Sequence, residues 1–430
     1  MSSARPFQVN LNLNVRGLPV SATLGINELS NQLLKEGRKI YKFGLGQSPF
    51  PVPQPVVEAL QANAHQKDYL PVRGLPDLQQ AVADYYQRTQ NLHFRPEHIL
   101  VGPGSKELMF IMQLAYYGDL VIPTPSWVSY APQAHIIGHH VHWLRTTGEN
   151  RWLLTPDELE KLCRQDPTKP FIVILNYPNN PTGCSYNDDE LAALAEVARK
   201  YHIVLLSDEI YGELNFAGTH TSIARHYPEG TIISGGLSKW CGAGGWRLGT
   251  FAFPESLEWL LEAMAVVASE TFTATSAPIQ YAAVRAFRGG IRIEEYLEQS
   301  RRILYTLSEH ICGRLEACGA HLATPQGAFY LFPDFSPLKE KLHRRGIRTS
   351  AEMCQMLLAE TGVAILPGSA FGRPEEELTA RLAFVDFDGA KALAMAGRHP
   401  GDGRLPEDFL DTCCFKIVEG IDRLCRWFEQ

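Results

Sequence analysis

Apolar positions recur with helical spacing once in the first fifty residues. Leu24, Ile26, Leu29, Leu33 and Leu34 form one stripe, which predicts a helix, with Ser21 and Thr23 offering capping hydroxyls before it and Gly37 stopping it. Tyr41 to Gly46 then reads as a strand running into the proline cluster 48–53, a loop or hinge. From 54 to about 300 the pattern alternates. Helical periodicity covers 54–65, 75–90 and 105–117, and between helices lie unbroken apolar runs at 99–101, 119–122, 171–175, 203–206, 231–233 and 249–253. Runs without polar alternation mark strands covered on both faces, and intervening crossover helices make such a sheet mostly parallel. A long charged amphipathic helix is expected over 291–318, then a strand over 327–332 and an exposed Gly/Pro-rich loop over 397–403.

Composition narrows the class without naming it. The chain has 430 residues, 45% hydrophobic and 20% charged, with 40 basic against 47 acidic residues. This is ordinary globular composition, not collagen-like, disordered or a disulfide scaffold. Neither charge sign runs in a block, so no nucleic-acid footprint is expected. No apolar stretch approaches the roughly 18 residues of a membrane span, and the first ten residues lack the apolar core of a secretory signal. Nine scattered cysteines suit a reducing, cytoplasmic setting.

In a parallel sheet, ligands sit beyond the carboxyl ends of the strands, so the polar residues after each run carry the candidate chemistry. Gly102-Pro103-Gly104-Ser105-Lys106 joins a strand to a helix start and suits a phosphate cradle. Asn176 to Gly183, with two prolines, is a stiff loop able to aim the Asn180 amide. Asp208 and Glu209 close another run; a carboxylate there holds a cation or caps the next helix. Lys239 follows a strand in a glycine-rich loop, where a desolvated amine can attack a carbonyl, and Arg247 offers a second charged clamp.

Taken in order, Asn179-Asn180-Pro181-Thr182-Gly183, Ser207-Asp208-Glu209-Ile210-Tyr211 and Ser238-Lys239 followed by Gly245-Trp246-Arg247-Leu248-Gly249 resemble the class I/II aminotransferases of the aspartate aminotransferase fold, which use pyridoxal 5'-phosphate (PLP). The resemblance runs from about Ser21 to Arg381 and implies an α/β protein of PLP-dependent transferase fold type I. Its large domain has a mostly parallel seven-stranded sheet flanked by helices, and a smaller α/β domain accompanies it. It implies residues 1–50 as an N-terminal arm and part of the small domain, 51–300 as the large PLP-binding domain, and 301–430 as the small C-terminal domain. By resemblance, Lys239 links covalently to the cofactor and shuttles the substrate proton, Asp208 pairs with the ring nitrogen, and Asn180 and Tyr211 hold the ring oxygen. Gly104, Ser105, Lys106, Ser238 and Arg247 surround the phosphate, and Trp127 stacks on the ring. Tyr69 reaches the phosphate of a second subunit, implying a homodimer. Arg381 grips the substrate α-carboxylate, with Gly46 beside it.

The implied reaction moves an amino group from an L-amino acid, aspartate or an aromatic one among them, to a 2-oxo acid, 2-oxoglutarate first, by a ping-pong sequence. A PLP lyase, decarboxylase or oxidase acting on an α-amino acid is the alternative within the same fold, and a non-catalytic relative is a third. Three departures from the family stand out. Some dicarboxylate-handling relatives have a lysine directly after Gly104; here Ser105 intervenes, and one residue turns a helical side chain by about 100°, so Lys106 need not face the substrate. Gly236 replaces a frequent phosphate-binding serine. Extra residues at about 386–409 read as surface decoration in preference to an edge of the substrate entrance. His135, His139, His140 and His142 cluster without a cysteine or acidic neighbour in sequence, so a strand end and no metal is expected there. Cys241, near Lys239, reads as a small buried residue.

Overall fold

The computed structural model describes residues 10–399, 401 and 404–430. Its strands are β1 (Tyr41–Lys42), β2 (Ile99–Gly102), β3 (Asp119–Thr124), β4 (Val141–Arg145), β5 (Phe171–Asn176), β6 (Val204–Asp208), β7 (Thr231–Gly236), β8 (Gly249–Ala252), β9 (Tyr330–Leu331), β10 (Val363–Ala364), β11 (Leu366–Pro367) and β12 (Ala380–Ala383). Seven of them form one sheet in the order β2-β8-β7-β6-β5-β3-β4. Every neighbouring pair is parallel except those of β8, which runs against both β2 and β7. β8 follows β7 through a loop without a crossover helix, so the chain returns antiparallel.

Side chains along these strands point alternately to two layers. Ile172, Ile174, Leu206 and Ile232 enter one apolar cluster, and Val173, Leu175 and Leu205 enter another on the opposite face. That two-sided burial is why the strands read as unbroken apolar runs. Six runs correspond to β2, β3, β5, β6, β7 and β8. The seventh strand, β4, has no such run because its residues are only partly covered, whereas β2 at the other edge is fully buried.

Parallel strands end together. Asn176, Asp208 and Ser234 lie in one register row across β5, β6 and β7, so the loops that follow open on the same side. A second, three-stranded antiparallel sheet in the order β11-β12-β9 carries Arg381 on β12 and Tyr330 on β9. The segment before the proline cluster joins this region through parallel pairing of β1 with β10.

The helices fall at Ala22–Lys35, Gln54–Asn63, Pro76–Gln90, Ser105–Ala115 and Ile291–Ala317, within a few residues of the spans expected. Ser21 does occupy the N-cap, yet its hydroxyl pairs with Thr23 Oγ1 at 3.3 Å and caps no backbone N–H. The strands expected over 41–46 and 327–332 shorten to two residues each. The loop expected over 397–403 begins where the helix Gly389–Gly397 ends, and 400, 402 and 403 lie outside the described residues. The extra segment near 386–409 is not surface decoration. Ala392, Ala396, Leu405 and Phe409 are buried in the largest apolar cluster together with Ile303, Leu304 and Leu307 of the long helix Ile291–Ala317. Gly389 packs so closely on Pro49 that a Cβ would fall 2.2 Å from its carbonyl oxygen. Small residues on one side of Gly389–Gly397 allow this approach.

Candidate active site

The loops after β3, β5, β6 and β7, together with the helix start at Ser105, enclose a cavity of about 590 Å³. Ten of the thirteen sequence-predicted residues line it: Gly46, Ser105, Lys106, Trp127, Asn180, Asp208, Tyr211, Ser238, Lys239 and Arg247. The other three divide. Gly104 lies directly behind the wall, where a Cβ would sit 2.1 Å from Arg247 Nη2. Arg381 lies beneath Asn180, its Nη1 donating to Asn180 Oδ1 at 3.1 Å. Tyr69 is 93% exposed and takes no part in this cavity.

Asp208 ends β6 in the sheet interior. Tyr130 Oη donates to its Oδ2 at 2.6 Å and Ser234 Oγ to its Oδ1 at 3.3 Å. Burial pushes its carboxyl up to about 6, against the opposing pull of Tyr130, the Ile210 N–H, Ser234 and the charge of Lys239. A buried carboxylate held this way is stabilised by a cation placed against it. Asn176 Nδ2 donates to the Asp208 carbonyl at 2.9 Å, and its Oδ1 accepts from the Asn180 N–H at 2.7 Å. One amide therefore fixes both the β6 end and the start of the stiff loop.

Lys239 Nζ donates to the Gly46 carbonyl at 2.8 Å and lies 5.4 Å from the Tyr211 ring centroid. Tyr211 Oη and Tyr330 Oη share a hydrogen bond of 2.7 Å, and burial raises the Tyr211 phenol well above its usual range. Gly46 has no room for a side chain, because a Cβ would meet Tyr330 Oη at 2.0 Å.

At the other end, the helix Ser105–Ala115 starts from Gly104, whose φ of 97° admits little but glycine. Its first backbone N–H groups have no partner within the helix. Arg247 adopts φ 55°, and its Nη1 donates to the Gly244 carbonyl at 2.9 Å. Gly249 lets β8 pass under this corner, since a Cβ would fall 2.2 Å from the Ser105 nitrogen. Lys106 Nζ lies 5.0 Å over the Trp127 ring, so the intervening Ser105 does not turn it away from the cavity. Desolvation, then Arg247 and Lys239, hold its ammonium below the usual lysine range. Gly236 leaves no space for the frequent serine, because a Cβ there would meet the Leu248 carbonyl oxygen at 2.7 Å.

Among the described residues, Lys106, Lys239 and Arg247 have no carboxylate within ion-pairing distance. A polar cavity with three unpaired cations along one wall and a buried carboxylate on another matches a ligand that is anionic at one end and cationic in its ring. PLP has that distribution: a phosphate for the Ser105–Arg247 corner and a protonated ring nitrogen for Asp208. The residues present fit the group.

Arg381 is 1% exposed. Tyr330 and Phe371 sandwich its guanidinium, each 4.9 Å from ring centroid to Cζ. Nη2 donates to the Gly44 carbonyl, and Nε is buried without a hydrogen-bond partner. Burial lowers its affinity for its proton. A buried guanidinium with a free donor awaits an anion.

Sequence reasoning missed Tyr130, Asn176 and Tyr330 as parts of the site. Tyr130 and Asn176 stand within the very segments that supplied Trp127 and Asn180, so their position after an apolar run was the available signal. Tyr330 had none, because its role depends on the meeting of β9 with the loop after β6. Cys241 is fully buried and its thiol is pushed up by burial, as expected of a packing residue.

The site lies beyond the carboxyl ends of a mostly parallel sheet, where α/β folds bind their ligands. The chain matches the family model of aminotransferase class I and II over residues 38–386, and it belongs to that family. It is 33% identical to an aspartate aminotransferase of Bacillus subtilis over 84% of this chain and 91% of the relative. It is 31% identical to an asparagine–oxo-acid transaminase of Streptococcus mutans, covering 85% and 93%. The solved aspartate aminotransferase of Thermus thermophilus with maleate superposes with a TM-score of 0.82 at 27% identity, over 97% of this chain and 100% of that one. The α/β fold with its mostly parallel sheet and the aminotransferase function are therefore those expected from the sequence. Among the described residues no helix is long and apolar enough to cross a membrane.

Proposed function

We propose that the cavity binds PLP and that the chain transfers the amino group of an L-amino acid, L-aspartate first among donors, to a 2-oxo acid such as 2-oxoglutarate in two half-reactions. The observation that carries this reading is the pairing of unpaired cations at the Ser105–Arg247 corner with the buried Asp208 carboxylate across the same cavity. When bound, the cofactor would supply an aldehyde to receive the amino group and a protonated ring to withdraw electron density from the substrate Cα.

The protein's own residues would do the rest. The Ser105 and Lys106 N–H groups, Ser238 and Arg247 hold the phosphate. Asp208, oriented by Tyr130 and Ser234, keeps the ring nitrogen protonated, while Asn180 and Tyr211 address the ring oxygen and Trp127 covers the ring face. Arg381 binds the substrate α-carboxylate next to Asn180 and Gly46, which fixes the Cα–H bond toward Lys239. Lys239 Nζ, released from Gly46, takes the Cα proton as general base. The Lys106 ammonium is available for a side-chain carboxylate, which favours aspartate.

The same proposal assigns residues 1–50, 51–300 and 301–430 to an arm with part of the small domain, a large domain and a small domain, with 1–9, 400, 402 and 403 outside the described residues. The confinement of the seven-stranded sheet to residues 99–252 supports it. It also makes the enzyme a cytoplasmic homodimer. The exposure of Tyr69, set away from its own cavity, and the free cysteines favour this.

The test is the visible spectrum of purified protein loaded with PLP. Adding L-aspartate should bleach the cofactor band, 2-oxoglutarate should restore it, and Lys239→Ala should do neither. Failure to take up any PLP would overturn the cofactor assignment; uptake with no donor of a twenty-amino-acid panel bleaching the band would overturn the transfer reaction.

A further inference from the structure

At the opposite end of β3 from the cavity, three side chains that sequence leaves apart come together. Asp119 begins β3, and His140 and His142 belong to the edge segment that pairs with it through Leu120 and Val141. The Leu120 N–H donates to the His140 carbonyl at 3.0 Å, which fixes that register. Alternate residues of an extended strand share a face, so both imidazoles project together; their ring centroids are 4.5 Å apart. One ligand atom from each of Asp119, His140 and His142 lies within 4.8 Å of the others.

We propose that Asp119, His140 and His142 form a binding site for a divalent transition metal ion of the Zn²⁺ type, which ties the edge strand β4 to β3. Two imidazoles and one carboxylate are the donor set of three-ligand zinc sites, with the fourth position left to water. Zinc bonds of about 2.0–2.2 Å in a tetrahedron place ligand atoms roughly 3.4 Å apart. The present His142 Nε2 to Asp119 Oδ2 hydrogen bond is 2.6 Å, so small side-chain rotations suffice to admit the ion. The metal then replaces the proton between these two groups.

The supporting contacts are also present. Lys169 Nζ and His142 Nε2 both lie 2.6 Å from Asp119 Oδ2, so with Oδ2 kept by Lys169 the ion would take Oδ1. Fixing the outer oxygen of a ligating carboxylate orients the inner one. His142 packs its ring edge-on against Phe171 at 5.4 Å, which limits its rotation. The six residues of β3 place Asp119 about 16 Å along the strand from Thr124, so the site is separate from the catalytic cavity.

The experiment is equilibrium dialysis of chelator-treated, PLP-loaded protein against Zn²⁺, with metal content read by elemental analysis, for wild type, His140→Ala and His142→Ala. The expected result is one Zn²⁺ per chain in wild type and an affinity at least tenfold weaker in each variant, with all nine cysteines unchanged. Thermal unfolding supplies the second readout: Zn²⁺ should raise Tm in wild type and not in His140→Ala, whose exposed position leaves the fold intact. Absence of stoichiometric binding in wild type, or affinity retained in either variant, overturns the site.

Discussion

Asp208 shows how one residue's burial sets both stability and chemistry. Its native carboxyl titrates at about 6, against 3.8 for an unburied one. Between those values the native state holds a proton that the unfolded chain has released, so the stability of the cofactor-free protein falls as pH rises through that window and stays lower above it, by up to ~3 kcal/mol. Asp208→Asn should flatten this pH dependence and make the cofactor-free protein relatively more stable at pH 7, while weakening PLP binding. Urea midpoints at pH 4.5 and 7 measure it, and identical pH trends for the two proteins would sink the account. Asp208 and Lys239 were legible in sequence because each stands in a short motif, and Arg381 through the resemblance that those motifs carry. Their partners Tyr130 and Tyr330 were not, and Gly46 was expected beside the substrate carboxylate and not as the acceptor for Lys239, since hydrogen bonds across the fold leave no local spacing.

At the level of the element, close backbone approach shapes the phosphate corner. The Ser105–Ala115 helix can press on β8 only because residue 249 lacks a side chain; the atoms a Cβ would meet are the Ser105 nitrogen and the Gly104 carbonyl carbon, which are backbone and cannot swing aside. Gly249→Ala should therefore destabilise the protein by about 1–3 kcal/mol or more and weaken PLP affinity by displacing the helix start. Comparing denaturant midpoints and PLP titrations with those of wild type checks both. A variant with native PLP affinity would show that the corner tolerates the shift. The strands that sequence revealed are the ones covered on both faces. β4 escaped because its residues are only partly covered, unlike those of β2 at the other edge, and the 386–409 segment looked dispensable because its buried alanines carry little hydrophobic signal.

For the whole molecule, the proposed homodimer makes each site depend on two chains. Tyr69, exposed here, would complete the phosphate site of its neighbour. Mixing inactive Lys239→Ala protein with Tyr69→Ala protein, after reversible dissociation and at limiting PLP, should give activity above the sum of the two alone, because hybrid dimers contain one site with both residues. Activity equal to the sum would place Tyr69 outside the neighbouring site. The packing of Gly389 against Pro49 and of Arg381 against Gly44 ties the C-terminal third of the chain to the segment entering the cavity, so this wall is built from both ends of the sequence.

Sequence by itself determined the order of the doubly covered strands, the main helices and the residues that contact the cofactor in the proposed reading. These are encoded locally: in apolar runs long enough to be buried twice over, and in motifs where a turn needs a glycine or proline and the next residue does the chemistry. The tertiary structure alone decided which groups stand opposite one another. It set Tyr330 beneath Arg381, brought Asp119 to His142 from 23 positions away, turned Lys106 onto Trp127 and drew the 386–409 segment into the core. These outcomes follow from strand register and packing between distant segments, which short-range periodicity does not record.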